Sequence, residues 1–387
     1  MTAFETERAK AHSQLPRSYS IEAQADAPAL FNAAALPAER VAAPSNFLTV
    51  QALRAVAALL VVVYHAFDMW ALRMDPSAPG IKWVNGAAGV DIFFVISGFV
   101  MVVSSRRLAT QPRAWRTFIQ HRIVRIVPLY WLLTTAKLLL VFFLADLALR
   151  SNLEFDYVAR SYLFLPVVDG AGHFRPLLPV GWTLTYEFVF YLLFALALAL
   201  RVDVLRVLVP GLGLFVVLAL LRRDGWPAWT ILFDTIVVEF IFGVVLARLV
   251  LRGWLLPEAV AAVFVVAGFA LILVVPESPQ NLRTLAWGLP ALAIVAGAVS
   301  LERRVAAMLP PWLLVLGDAS YSIYLTHGFV VPVIGLVFIH LHWTGLAAEA
   351  VAVLACLLAS SVVGAAVYSL VERPIMLSLK PRATVRS

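Results

Sequence analysis

Arg54 and His65 lie eleven residues apart within the apolar run 53–67. Eleven helical steps bring two side chains to within roughly 20° of one face and about 16 Å apart. Ionisable side chains are expensive inside a bilayer, and they tend to mark chemistry there. The pair would place a fixed cation near one membrane surface and a titratable base deeper in. That arrangement suits a long anionic cofactor held at one end and proton transfer at the other. The plainer alternative has Arg54 reaching back to the interface and His65 hydrogen-bonding a neighbouring helix. On the pair alone both readings stand.

Other polar residues fall at related depths. Asp91 and Glu187 each lie near the start of an apolar run, at a level comparable with His65. A carboxylate that accepts an imidazole N–H fixes its tautomer and raises its basicity, as a general base requires. Asp91 is the first choice for that role, because a short connection joins its run to that of His65. The alternative is that both carboxylates cap helix starts. Arg122 and Arg125, three apart, share a face in the arginine-rich stretch 106–125, which also holds Trp115 and Phe118. Arginine forks suit phosphates; anchoring to anionic lipid is the other reading, and the one favoured for Arg113 and Arg116. Tyr321, Tyr324 and His327 make a polar stripe at three-residue spacing. It would line a cavity or bond to a neighbouring helix. Ser97 and Tyr324 are candidates for holding an oxyanion or an acceptor. His340 and His342 are a poor metal pair, and no metal is expected.

The elements that must position these residues are transmembrane helices. The 387-residue chain is 62% hydrophobic and 14% charged, with apolar stretches long enough to cross a bilayer. This predicts an all-α integral membrane protein with about ten spans, at 48–69, 87–104, 126–146, 181–200, 203–221, 228–248, 255–275, 284–300, 313–339 and 346–371. Residues 1–45 read as a disordered cytosolic extension, 46–376 as the membrane domain, and 377–387 as a short basic tail. The single Cys356 excludes a disulfide framework and a thiolate metal site. With the N-terminus in the cytosol, twenty Lys and Arg outside the spans fall on the cytosolic side and eight opposite. That asymmetry places both termini in the cytosol, and it accounts for the net charge of +7 without nucleic acid.

Six segments in order give the chain a family resemblance. They are Arg54 with His65, GVDIFFVISGF at 89–99, RIVRIVPLYW at 122–131, WTLTYE at 182–187, YSIYLTH at 321–327 and ERP at 372–374. Together they resemble the bacterial acyltransferase-3 integral-membrane family, over residues 46–376. That family includes O-acetyltransferases acting on O-antigen, exopolysaccharide, Nod factors and some antibiotics. The resemblance implies transfer of an acyl group, most simply acetyl, from cytosolic acyl-coenzyme A to a hydroxyl. It implies an essential role for Arg54 and His65, and association of Arg122 and Arg125 with the acyl donor. The expected enzyme is thus a multi-pass O-acyltransferase of the bacterial inner membrane. His65 would be its base, Asp91 or Glu187 would orient that base, and Ser97, Tyr324 and His327 would contact substrate. Its partners would be acyl-coenzyme A, membrane lipid and a glycan or lipid-linked sugar. Transfer by way of an acyl-histidine, acylation of a secreted small molecule, and a transporter or flippase are the alternatives. No hydrolase-like domain is expected beyond Arg373.

Overall fold

The computed structural model describes residues 47–73, 83–143, 154–169, 172–223, 225–275 and 282–379. The expected extension 1–45 and residues 380–387 of the tail lie outside the described residues. Among these residues there are helices and one isolated bridge between Val168 and Phe174, with no strand.

Fourteen α-helices are described. α1 (Leu48–Arg73), α2 (Gly89–Ser105) and α3 (Ala114–Phe143) are followed by the short α4 (Phe155–Tyr162). Then come α5 (Trp182–Leu200), α6 (Val204–Leu221), α7 (Val238–Leu251), α8 (Glu258–Val274) and α9 (Leu289–Ser300). The chain closes with α10 (Glu302–Val305), α11 (Pro311–Asp318), α12 (Ser320–Leu341), α13 (Leu346–Val367) and α14 (Arg373–Ser378). Eight segments are long and apolar enough to cross a membrane, or nine if the bent pair Thr284–Ser300 and Glu302–Met308 is one span. With the shorter apolar helix Glu258–Val274, these correspond to the ten expected spans.

Three boundaries differ from expectation. The predicted span 228–248 opens with two 3-10 turns, Ala228–Leu232 and Thr235–Val237, so α7 starts only at Val238. The predicted span 313–339 is two helices, α11 and α12, divided at Ala319. α3 begins at Ala114, twelve residues before its predicted start. Its first three turns carry the arginines, which hydropathy alone excludes from a span, although arginine is a good helix former. Arg122 and Arg125 therefore sit within a continuous helix.

α2 is the most enclosed span and the centre of the bundle, packed between α1 and α7. It approaches α7 backbone to backbone. A Cβ on Gly98 would stand 2.2 Å from the Phe240 carbonyl oxygen, and one on Gly243 would stand 2.0 Å from that of Val95. Small residues at such a crossing let two helices meet closely in lipid, where packing drives association. α1 also packs on α11, α12 and α13. Its first turn is capped from afar: the Glu302 carboxylate accepts from the backbone N–H groups of Leu48 (2.8 Å) and Thr49 (2.9 Å), and from the Thr49 hydroxyl (2.5 Å). These donors have no partner within the helix. Around this core Leu192, Leu196, Val209, Leu214, Val263, Val266, Leu354 and Leu358 are exposed. So wide an apolar surface marks a lipid-facing belt. The chain is a multi-pass membrane protein.

Candidate active site

A cavity of about 130 Å³ opens among α1, α2, α3, α5 and α12. Arg54, Arg122, Arg125, Met101, Ser320 and Tyr321 line the end nearer the start of α1. Ser97, Glu187 and Tyr191 line its middle; Val90, Phe93, Phe94, Thr183, Leu184 and Tyr324 line its far end. Along α2 alone, Val90 to Met101 spans about 16 Å at the helical rise. The space is thus long and narrow, with guanidiniums at one end and apolar and aromatic walls towards the other.

Each polar lining residue is held by the helices around it. Arg54, in the second turn of α1, donates from Nε to Ser320 Oγ on α12 at 3.2 Å. Arg125 is ion-paired with the buried Glu372 and has its guanidinium 5.6 Å above the Tyr321 ring. The other Glu372 oxygen accepts from Ser322 Oγ at 2.5 Å. Arg122 lies over Phe118 at 5.7 Å, and its buried Nε has no hydrogen-bond partner among the described residues. Glu187 accepts from Ser97 Oγ at 3.0 Å and from the Tyr191 hydroxyl. Three guanidiniums thus gather at one end of the cavity; among the lining residues Glu187 is the carboxylate, while Glu372 pairs with Arg125 and Asp318 acts on Arg54 from outside the lining. Guanidinium donors clustered on one wall, with Arg122 Nε unpartnered among the described residues, suit an anion there.

His65 lies outside this cavity lining. Its Nδ1 bonds the Val61 carbonyl at 2.9 Å, so the proton sits on Nδ1 and Nε2 is the free basic nitrogen. The ring packs against His327 with centroids 4.9 Å apart. His327 in turn lies 5.8 Å from the Tyr324 ring, which borders the cavity. The Tyr324 hydroxyl bonds Thr183 Oγ1 at 3.0 Å and the Val180 carbonyl at 3.1 Å. A layer of aromatic side chains therefore separates His65 from the cavity.

Asp91 is not the partner of His65. Its carboxylate takes a two-pronged pair from Arg283, at 2.7 Å from Nη2 and 3.2 Å from Nε. Arg283 also donates to the Ala87 carbonyl at 3.2 Å and stacks over Trp287 at 4.9 Å. Glu239 is buried beside this pair, against Gly288. The carboxylate faces α9 instead of α1 because the arginine just before α9 offers a full ion pair, which a neutral imidazole cannot match. Glu187 is likewise committed to Ser97 and Tyr191. His327 is fully buried and does not line the cavity, so it has no direct reach to a substrate there.

Of the residues singled out from sequence, Arg54, Ser97, Arg122, Arg125, Glu187 and Tyr324 converge on the cavity. His65 and His327 adjoin it, and Asp91 belongs to a separate cluster. Sequence reasoning gave no role to Glu372, Tyr191 or Arg283, whereas Tyr321, expected in a polar stripe, lines the cavity and donates to the Ile126 carbonyl at 2.8 Å. Glu372 stands in the ERP segment, which was the one available signal for it. Nothing in the sequence pairs Arg283 with a residue 192 positions away.

A family model described as an acyltransferase domain matches residues 47–370. Among curated proteins, the exopolysaccharide production protein ExoZ of Rhizobium meliloti is 38% identical over 306 residues, covering 77% of this chain and 92% of that protein. The acyltransferase MdmB of Streptomyces mycarofaciens is 26% identical, covering 78% of this chain and 83% of its own length. The O-acetyltransferase OatA of Staphylococcus aureus is 25% identical; 75% of this chain covers 51% of it. No solved structure matches the chain.

Proposed function

This chain belongs to the acyltransferase-3 family and is a membrane acyltransferase, and we propose that it moves an acetyl group from cytosolic acetyl-coenzyme A to a hydroxyl of a surface or lipid-linked glycan. The observation that carries the donor half is the cluster of three guanidiniums, Arg54, Arg122 and Arg125, at one end of the cavity. Arg54 and Arg122 take the anionic part of the donor, while Arg125 is held in place by Glu372. The cavity volume supports an acetyl-sized cargo. At about 130 Å³ it compares with an apolar cavity of about 150 Å³ that admits benzene. It therefore takes the thin acyl-thioester end, and the nucleotide stays at the mouth beside the arginines. The acceptor half rests on the similarity to ExoZ, which is named for exopolysaccharide production.

In the reaction, His65 Nε2 removes the proton of the acceptor hydroxyl as its oxygen attacks the thioester carbonyl. The carbon–sulfur bond breaks, and the departing thiolate takes the proton from His65. Tyr324 stands where donor and base approach, so its ring must move aside or the thioester must pass its edge. Glu187 acts on the Ser97 and Tyr191 hydroxyls and does not orient the base.

The test is compositional mass spectrometry of host surface polysaccharides. It compares wild type, a deletion, and complements carrying His65→Ala or Arg122→Ala at equal membrane abundance. An ester-linked acetyl group absent from the deletion and from both complements is the expected result. Unchanged glycans would overturn the acceptor assignment, and full restoration by His65→Ala would overturn the mechanism.

A further inference from the structure

His327 is fully buried, and its Nε2 has no hydrogen-bond partner among the described residues. Its Nδ1 is engaged with the Ile323 carbonyl at 3.3 Å, which leaves Nε2 as a bare acceptor. A buried acceptor without a donor is costly, and a leucine or phenylalanine would fill the same place without that cost. The neighbour in reach is His65, at 4.9 Å between ring centroids and an interplanar angle of 56°. Two imidazoles joined by an N–H···N bond of about 2.9 Å, each nitrogen about 1.1 Å from its ring centre, have centres about 5 Å apart. The rings are therefore near enough for such a bond, although none joins them in the structure.

Neutral His65 cannot make that bond while its Nδ1–H is given to Val61, because its Nε2 carries no hydrogen. Only the imidazolium has a second N–H to offer. We infer that His327 is a positioning residue for His65: its Nε2 accepts the N–H that His65 carries only when protonated, and so stabilises the imidazolium formed during transfer. The inference rests on the reading of His65 as the base. The proton taken from the acceptor hydroxyl sits on His65 Nε2, whose N–H is shared between the acceptor oxygen and His327 until the departing thiolate removes it. No atom is gained or lost by the pair. The charged groups acting on His65 are Asp68, on its own helix, and Arg175, from the segment after α4. Tyr64 packs edge-on at 4.7 Å, and from α12 the facing titratable group is His327.

Diethyl pyrocarbonate reacts with neutral imidazole, so the rate of carbethoxylation of the partly exposed His65 against pH reports its midpoint. The full-length protein in detergent would be followed by mass spectrometry of the peptide holding His65. The proposal expects the midpoint to fall by at least half a pH unit in His327→Phe and to recover in His327→Gln, whose amide oxygen can still accept. His327→Leu provides a second variant without an acceptor should the phenylalanine not fold. Equal midpoints in wild type, the apolar variant and the glutamine variant would overturn it. The titration needs no acyl donor. A wild type inert towards acetyl-coenzyme A would count against the proposed function, while a shifted midpoint would still support the pair.

Discussion

Arg283 gives two hydrogen bonds to Asp91 and a third to the Ala87 carbonyl, and so it satisfies a carboxylate that is fully enclosed. Breaking such a pair by removing one partner strands the other charge, at a cost of about 3–5 kcal/mol, whereas replacing both by neutral groups is often tolerated. Asp91→Asn is therefore expected to reduce membrane abundance and melting temperature sharply. Asp91→Asn combined with Arg283→Met recovers both, and recovers acetyl transfer with them. Measuring the three variants side by side separates a structural pair from an orienting carboxylate. If Asp91 served His65, the double variant would be stable and inactive. The sequence revealed which residues are costly to bury, since charge inside an apolar run is visible at once. It did not reveal their partners, because pairing between helices depends on which faces meet, and residues 91 and 283 carry no shared spacing.

At the scale of elements, the α2–α7 crossing fixes the cavity wall. Ser97 and Met101 line the cavity on either side of Gly98, whose missing Cβ lets the α7 backbone close in. Because the nearest atoms are backbone, a methyl there cannot be accommodated by rotating a side chain. Overpacking of this kind costs about 1–3 kcal/mol, and it would push α2 into the cavity. Gly98→Ala and Gly243→Ala are expected to lower the melting temperature in detergent and to reduce acetyl transfer at least tenfold. Gly213→Ala on α6, where an added Cβ meets nothing within 4 Å, should match wild type in both. Equal behaviour of all three would show that the crossing does not shape the site. The spans themselves were legible because hydropathy is a property of consecutive residues. The break at Ala319 and the polar first turns of α3 were not. One is a local backbone turn inside an apolar run, and the other is helix continuing beyond the membrane core.

For the whole molecule, the arginine end of the cavity is the same end at which α1 begins. On the orientation expected from the excess of Lys and Arg, that end faces the cytosol, where the proposed acyl-coenzyme A donor would be. His65 lies about 26 Å along α1 from its first residue, towards the side on which the segment after α4 carries Arg175. Donor and acceptor would then enter from opposite faces, and the aromatic layer formed by Tyr324 and His327 stands between them. This division depends on orientation, which labelling can measure directly. In a Cys356→Ser background, which removes the one buried thiol, His173→Cys and Trp254→Cys place single thiols at exposed positions in the two opposing connections. The His173 side chain is 56% exposed and Trp254 is 73% exposed. A membrane-impermeant maleimide should label the thiol at 173 in intact cells and the thiol at 254 only after permeabilisation. The reverse pattern would turn the arginine mouth outward, away from any supply of acyl-coenzyme A. The donor assignment would then fall even if His65 proved essential.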